Sequence, residues 1–158
     1  MIIGKDPEHP TADVSWIIAL LSDSGVDVDF KDNALTDIWI KFAFIASFGL
    51  VTARYNSSLG MVCKDALQKQ EALQIIREIK RIADKKMIML DNDIAEKTFI
   101  KAASFPFETP TSLQLDVHSG KAHTELELLG GAILRFGKEL DIDAPCTQKI
   151  YTELKHQK

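Results

Sequence analysis

Lys41 lies within Ile38-Trp39-Ile40-Lys41-Phe42-Ala43-Phe44, where every neighbour within three positions is apolar. Lysine is almost never fully buried without a partner. On one reading its stem packs while the ammonium snorkels into water. On the other it is a partly desolvated ammonium on a pocket wall, placed to donate a proton or a hydrogen bond. Thr109-Pro110-Thr111-Ser112, followed by Gln114 and Asp116, is the second place where chemistry is possible. Hydroxyls and free N–H groups at a helix start can bind a carboxylate. Plain capping by Thr109, with Pro110 in the first helical position, accounts for the same residues without a ligand. Thr124-Glu125-Leu126-Glu127 is the third place, where two carboxylates in a first helical turn either complement the helix dipole or face a site.

Other signals are weaker. His9, His118, His123 and His156 have no metal-ligand spacing with one another or with Cys63 and Cys146, and the two cysteines sit in no redox or nucleophile motif. Lysines 64, 69, 80, 85 and 86 are expected on a solvated helix face, and Met87-Ile88-Met89-Leu90 in the core. No Gly-x-Gly-x-x-Gly occurs, so the chain carries no dinucleotide-binding fold.

The elements that would position these residues are helices. Ile2-Ile3-Gly4 reads as a remnant strand with no partner in the chain. Thr11 caps a helix with Val14, Ile17, Ile18 and Leu21 on one face, Gly25 ends it, and Val26, Val28 and Phe30 alternate with aspartates as a short strand. Asn33 caps a helix that is apolar all round, which demands cover on every side. Tyr55 to Gly60 reads as a loop, and Val62 to Asp84 as one amphipathic helix with Leu67, Ala72, Ile75, Ile76, Ile79 and Ala83 inward. Asp93 with Glu96, Thr109 with Pro110, Thr124 with Glu127, and Pro145 with Thr147 start the remaining helices. The sum is an all-α domain of six to seven helices.

Composition sets the outer bounds. The chain has 158 residues, 46% hydrophobic and 27% charged, with a net charge of −4. That is a globular composition, and an acidic balance gives phosphates no basic field, which argues against nucleic acid as partner. Two cysteines are too few for a disulfide framework, so a reduced, cytoplasmic setting is expected. The N-terminus has no signal-peptide pattern. The charge-free run Phe42–Ala53 is shorter than the roughly 18 residues a membrane span needs, so no membrane is expected.

Several segments resemble the C-terminal domain of the ketopantoate reductase (2-dehydropantoate 2-reductase) family. These are Ile38-Trp39-Ile40-Lys41, Leu50-Val51-Thr52-Ala53, Asn56 to Gly60, and Thr111-Ser112-Leu113-Gln114-Leu115-Asp116. Thr124-Glu125-Leu126-Glu127 with Gly130-Gly131, and Ala144-Pro145-Cys146-Thr147 with Ile150-Tyr151, complete the series in the family's order. The resemblance implies a helical, phosphogluconate dehydrogenase C-terminal-like domain at residues 31–158, which binds substrate and dimerises. Residues 1–30 would be the end of a Rossmann domain and its connecting segment.

NADPH would be bound by that N-terminal domain, which this chain lacks, so the chain alone would be inactive. The resemblance also implies roles for single residues. Lys41 would be the general acid and Glu125 a hydrogen-bonding catalytic residue, while Ser112, Asp116 and Asn56 would bind a small 2-oxo acid. The pattern departs from the family at Ile45 and Leu59, positions where the family commonly carries Asn. A paralogous 2-oxo-acid reductase with another substrate and a non-catalytic helical interaction module are the two rival readings.

Overall fold

A computed structural model of the chain describes residues 1–5, 9 and 11–156. The chain divides into two compact units, Met1–Trp39 and Ile40–Lys158.

The first unit holds β1 (Ile2–Gly4), α1 (Ser15–Asp23) and β2 (Asp29–Lys31). The opening strand does have a partner in the chain. β1 pairs with β2 in parallel, Ile2 opposite Asp29 and Gly4 opposite Lys31. The helix between them supplies the crossover that parallel strands require. Thr11 does not cap α1. Asp13 does that work, its carboxylate accepting the Ser15 N–H at 2.9 Å. The helix ends at Gly25, whose φ of +80° is the left-handed conformation that suits glycine. No residue of α1 is buried, and Trp16 and Leu20 are 65% and 59% exposed.

Asn33 caps α2 (Leu35–Tyr55) as the sequence predicts, its side chain accepting the Leu35 N–H at 3.0 Å. The residues of α2 through Trp39 belong to the first unit, and the rest run through the core of the second. Ala43, Ala46, Phe48, Leu50, Val51 and Ala53 are essentially inaccessible to solvent. By length and composition α2 could cross a bilayer, yet half of its most apolar stretch is buried within the protein, as befits a core helix.

The rest of the second unit comprises α3 (Leu59–Lys64), α4 (Ala66–Lys85), α5 (Ile94–Ala103), α6 (Ser112–His118), α7 (Ala132–Leu140) and α8 (Pro145–His156). A π-helical turn at Glu127–Gly131 leads directly into α7. That makes eight α-helices among the described residues, against six to seven expected. One extra break falls at Asp65, whose extended backbone ends α3 and whose carboxylate accepts the Gln68 N–H at 2.9 Å to start α4. The central helix α4 packs against α3, α5, α7 and α8 through Ala72, Ile75, Ile76, Ile79, Ile82 and Ala83. Burying a Leu- or Ile-sized side chain contributes about 1.5–3 kcal/mol, so this face anchors the unit.

Met87 and Met89 are 88% and 79% exposed, not core residues. Met87 takes a positive φ where α4 ends, and the extended chain beyond it turns Ile88 and Leu90 inward and the two methionines out. Gly130 is a close approach: a Cβ there would sit 3.0 Å from the Tyr151 ring and 3.2 Å from Leu50.

Both cysteines are free. Burial pushes the Cys146 thiol up to about 11, with the negative charges of Glu78 and Glu71 adding to the effect. Cys63, half-buried, is also raised by burial. At pH 8 a thiol of pKa about 11 is thiolate in only about one molecule in a thousand. Native-state alkylation by iodoacetamide is therefore expected to label Cys63 slowly and Cys146 only on unfolding. Peptide mass spectrometry checks this, and faster labelling of Cys146 would contradict it.

Candidate active site

The second unit carries a half-open cavity of about 260 Å³. Phe44, Ile45 and Phe48 of α2 form one wall, and Leu59, Phe105 and Leu129 supply the remaining apolar surface. Thr109, Pro110, Thr111, Ser112 and Glu125 form the polar end. Aromatic rings hold the wall rigid. Phe44 stacks on Phe105 with centroids 6.0 Å apart and planes 12° from parallel, and tilts against Phe48 at 5.3 Å. Phe48 in turn meets Phe99 at 5.2 Å. The loop carrying Phe107 can close because position 60 is glycine. The Gly60 N–H donates to the Phe107 carbonyl at 3.0 Å, and a Cβ would lie 2.3 Å from the Phe107 ring.

The helix start at the polar end is arranged differently from the sequence expectation. Thr111 is the cap of α6, accepting the Gln114 N–H at 3.2 Å, and Thr109 and Pro110 precede the helix. The Thr52 hydroxyl donates back to the Phe48 carbonyl at 2.7 Å, which leaves its oxygen to accept the Thr111 hydroxyl at 2.7 Å. The Thr111 hydroxyl proton is thus committed to Thr52. Ser112 donates its hydroxyl to Glu125 Oε2 at 2.7 Å. That bond brings the two segments together at the polar end.

The other nominated residues lie around this pair. Asn56, with a positive φ, faces a neighbouring polar recess of about 440 Å³, where its side-chain oxygen accepts from Gln114 Nε2 at 2.6 Å. Asp116 pairs with Lys121. The His118 Nε2 lies 2.7 Å from the Ala53 carbonyl, tying α6 to α2. Lys41 is exposed and makes no hydrogen bond or ion pair with a described residue. It precedes Ile45 by one helical turn, a spacing that puts Cβ atoms about 5–6 Å apart. Lys41 therefore stands one turn from the cavity wall.

Glu127 does not close a capping box with Thr124. It accepts the Tyr151 hydroxyl at 2.5 Å and the Lys155 ammonium at 3.4 Å, and these partners, Tyr151 first, hold its carboxyl below the usual range. Asp93 likewise leaves its helix uncapped and pairs with Lys97 at 3.0 Å. A larger recess of about 830 Å³ beside α7 holds Glu127 but none of the nominated site residues. The apolar walls went unnominated from sequence because Phe44, Phe105 and Leu129 come from three separate segments with no motif in common.

The family model for the ketopantoate reductase PanE/ApbA C-terminal domain matches residues 33–158. The chain belongs to this family. It is 27% identical over 133 residues to the oxidoreductase YkpB of Bacillus subtilis (strain 168), itself uncharacterised, a match covering 83% of this chain and 44% of that protein. The dimeric ketopantoate reductase of Staphylococcus aureus superposes with a TM-score of 0.86 at 20% identity, over 99% of this chain and 53% of that one. A D-mandelate dehydrogenase in ternary complex with NADH and anilino(oxo)acetate gives a TM-score of 0.86 at 18% identity, over 99% and 65%. The structural likenesses establish the fold, a family-type helical domain. The chain spans about half the length of the relatives it matches.

The residues present do not fit a nicotinamide dinucleotide. Residues 5–14, which follow β1, contain no glycine and include Asp6, Glu8 and Asp13. A diphosphate needs backbone N–H groups brought close by glycine, not carboxylates.

Proposed function

We propose that this chain is the substrate-side part of a nicotinamide-dependent reductase of 2-oxo acids, the reaction type for which ketopantoate is the substrate named by its relatives. The observation that carries the reading is the Ser112–Glu125 pair, bonded at 2.7 Å at the polar end of an otherwise apolar cavity. Reduction of a ketone develops negative charge on its oxygen, and a positioned donor both stabilises that charge and quenches it.

In this reading the exposed Lys41 ammonium reaches over the rim and protonates that oxygen. Ser112 turns its hydroxyl from Glu125 to the substrate carboxylate, and Glu125 is freed to accept from the Lys41 ammonium or the product hydroxyl. Asn56 and Asp116 support from the side, Asn56 through Gln114 and Asp116 through the turn at Lys121. The hydride belongs to a nicotinamide, NADPH by the family's habit, held outside this chain.

The first unit supports a further partner. A parallel strand pair is normally covered on both faces, and here Trp16, Leu20, Ile2 and Phe30 are exposed. Residues 1–30 read accordingly as the end of a Rossmann domain, with residues 31–158 as the helical domain. A homodimer and a cytoplasmic setting belong to the same proposal. The test is turnover by the native protein that carries this chain, assayed with 2-oxo acids and NADPH or NADH. Ser112→Ala is expected to raise KM about tenfold or more by removing a charge-assisted hydrogen bond, with a smaller change in kcat. A defect confined to kcat would give Ser112 another role.

A second reading, a paralogous reductase for another 2-oxo acid, is favoured by the same cavity. Its long walls carry hydrocarbon and its polar groups gather at one end.

A further inference from the structure

Resting on that reading, we infer that the substrate is a 2-oxo acid whose side chain is pure hydrocarbon, branched or aromatic, and that Ile45 together with Phe44 and Phe105 selects it. Four observations lead there.

The cavity volume, about 260 Å³, is that of a small metabolite, just below the ~300–1,000 Å³ range of drug-sized ligand sites. Its polar groups are confined to one end. There, the Thr111 hydroxyl is engaged with Thr52 and the Gln114 N–H, so the Ser112 and Thr109 hydroxyls are the donors left to meet the oxo and carboxylate oxygens, while Glu125 accepts, from Ser112 in the free site. The remaining wall is Phe44, Ile45, Phe48, Leu59, Phe105 and Leu129, which offers no hydrogen-bond partner to a hydroxyl on the substrate side chain. Finally, the stacked Phe44 and Phe105 rings give that wall a flat, rigid surface suited to an aryl or branched alkyl group.

A hydroxyl carried into such a wall loses its water partners and gains none. The bonded polar network next door, Asn56 with Gln114 and Ser57 with Gln68, belongs to the separate recess. Ile45 is the residue with most leverage, because it sits on the wall one helical turn from Lys41.

The experiment compares two acids that differ in one hydroxyl, 3,3-dimethyl-2-oxobutanoate and 4-hydroxy-3,3-dimethyl-2-oxobutanoate (ketopantoate), with 2-oxo-2-phenylacetate as the aryl case. The native protein carrying this chain is assayed with saturating nicotinamide cofactor. The expected result is a kcat/KM ratio of about 100 in favour of the acid without the hydroxyl, the size of discrimination an apolar pocket exerts against an added hydroxyl. Ile45→Asn is expected to cut that ratio at least tenfold, chiefly through KM. Ile45→Thr, which keeps the β-branch of isoleucine, serves if the first variant does not fold. The substrate ratio is a readout that a merely structural role would leave unmoved.

Equal or better turnover of the hydroxylated acid overturns this inference and leaves the reductase reading standing. No turnover of any 2-oxo acid overturns both. An unchanged ratio in both Ile45 variants removes Ile45 from specificity.

Discussion

In the native protein, Lys41→Ala is expected to lower kcat by about 10²- to 10⁴-fold, the range associated with loss of a positioned general acid. KM should change much less, because in the proposed role the ammonium would act on charge that develops in the transition state and contribute little before it. The structure supports this in a specific way. Lys41 is exposed, unpaired with any described residue, and one helical turn from Ile45 on the cavity wall. A side chain held in a structural ion pair would have to break that bond before acting, and Lys41 has none among the described residues. Lys41→Arg separates proton donation from charge. Arginine keeps the cation but does not give up its proton in a protein, so it should leave KM near that of the unsubstituted protein and kcat low. A loss under tenfold in the alanine variant, measured by steady-state kinetics, would remove Lys41 as the acid. Should Lys41→Ala leave the protein's function intact while surface changes on the Trp39–Phe48 stretch abolish association, the interaction-module reading would stand in place of the enzyme.

The helical character of the chain was readable in its sequence because it depends on local periodicity. Ile75, Ile76, Ile79 and Ala83 recur at helical spacing, and all four are buried on α4. The pairing of β1 with β2 was not readable, because two three-residue strands that pair across an intervening helix leave no local signature. The buried acids of α4 were missed for a related reason. Glu71 and Glu78 look like solvated positions in sequence. Their partners, Arg54 on α2 and the start of α8, are brought up only by the tertiary fold. In the candidate site, Ser112 and Glu125 were nominated separately, each from its own motif. Their bond across thirteen positions depends on the turn that follows α6, where Gly120 takes a φ of +72°. Glu127 shows the limit of reading a motif locally. The spacing Thr124 to Glu127 satisfies the capping-box pattern, yet Tyr151 on α8 offers its carboxylate a better partner. The sequence also left two readings of Lys41 open, and in this chain its side chain is exposed, one helical turn from the pocket wall.

The largest stability effect is expected at Glu78. This side chain is 3% exposed and accepts three hydrogen bonds from the start of α8. The Cys146 N–H donates at 2.8 Å, the Thr147 N–H at 3.0 Å and the Thr147 hydroxyl at 2.6 Å. α8 begins at Pro145, which has no N–H, so Cys146 and Thr147 carry the first free donors of that helix. Glu78 caps them from α4, and its negative charge lies at the positive end of a twelve-residue helix. Glu78→Ala would leave two buried N–H groups and a buried hydroxyl without partners and would empty space between α4 and α8. Each unsatisfied buried group costs about 1–3 kcal/mol. Partial relaxation and water entry bring the expected total to about 3 kcal/mol, above the ~1 kcal/mol of an ordinary cap. For a chain of this length that corresponds to a Tm lower by roughly 10 °C. Glu78→Gln keeps one acceptor oxygen but turns an NH₂ donor toward donors, so its loss should fall between zero and that of alanine. Differential scanning calorimetry of the three proteins gives the ordering, and hydrogen exchange at the Cys146 and Thr147 amides localises it. A fall of less than about 3 °C for Glu78→Ala, or unchanged exchange at those two amides, would show that α8 is held by its apolar face alone, through Ile150 and Leu154.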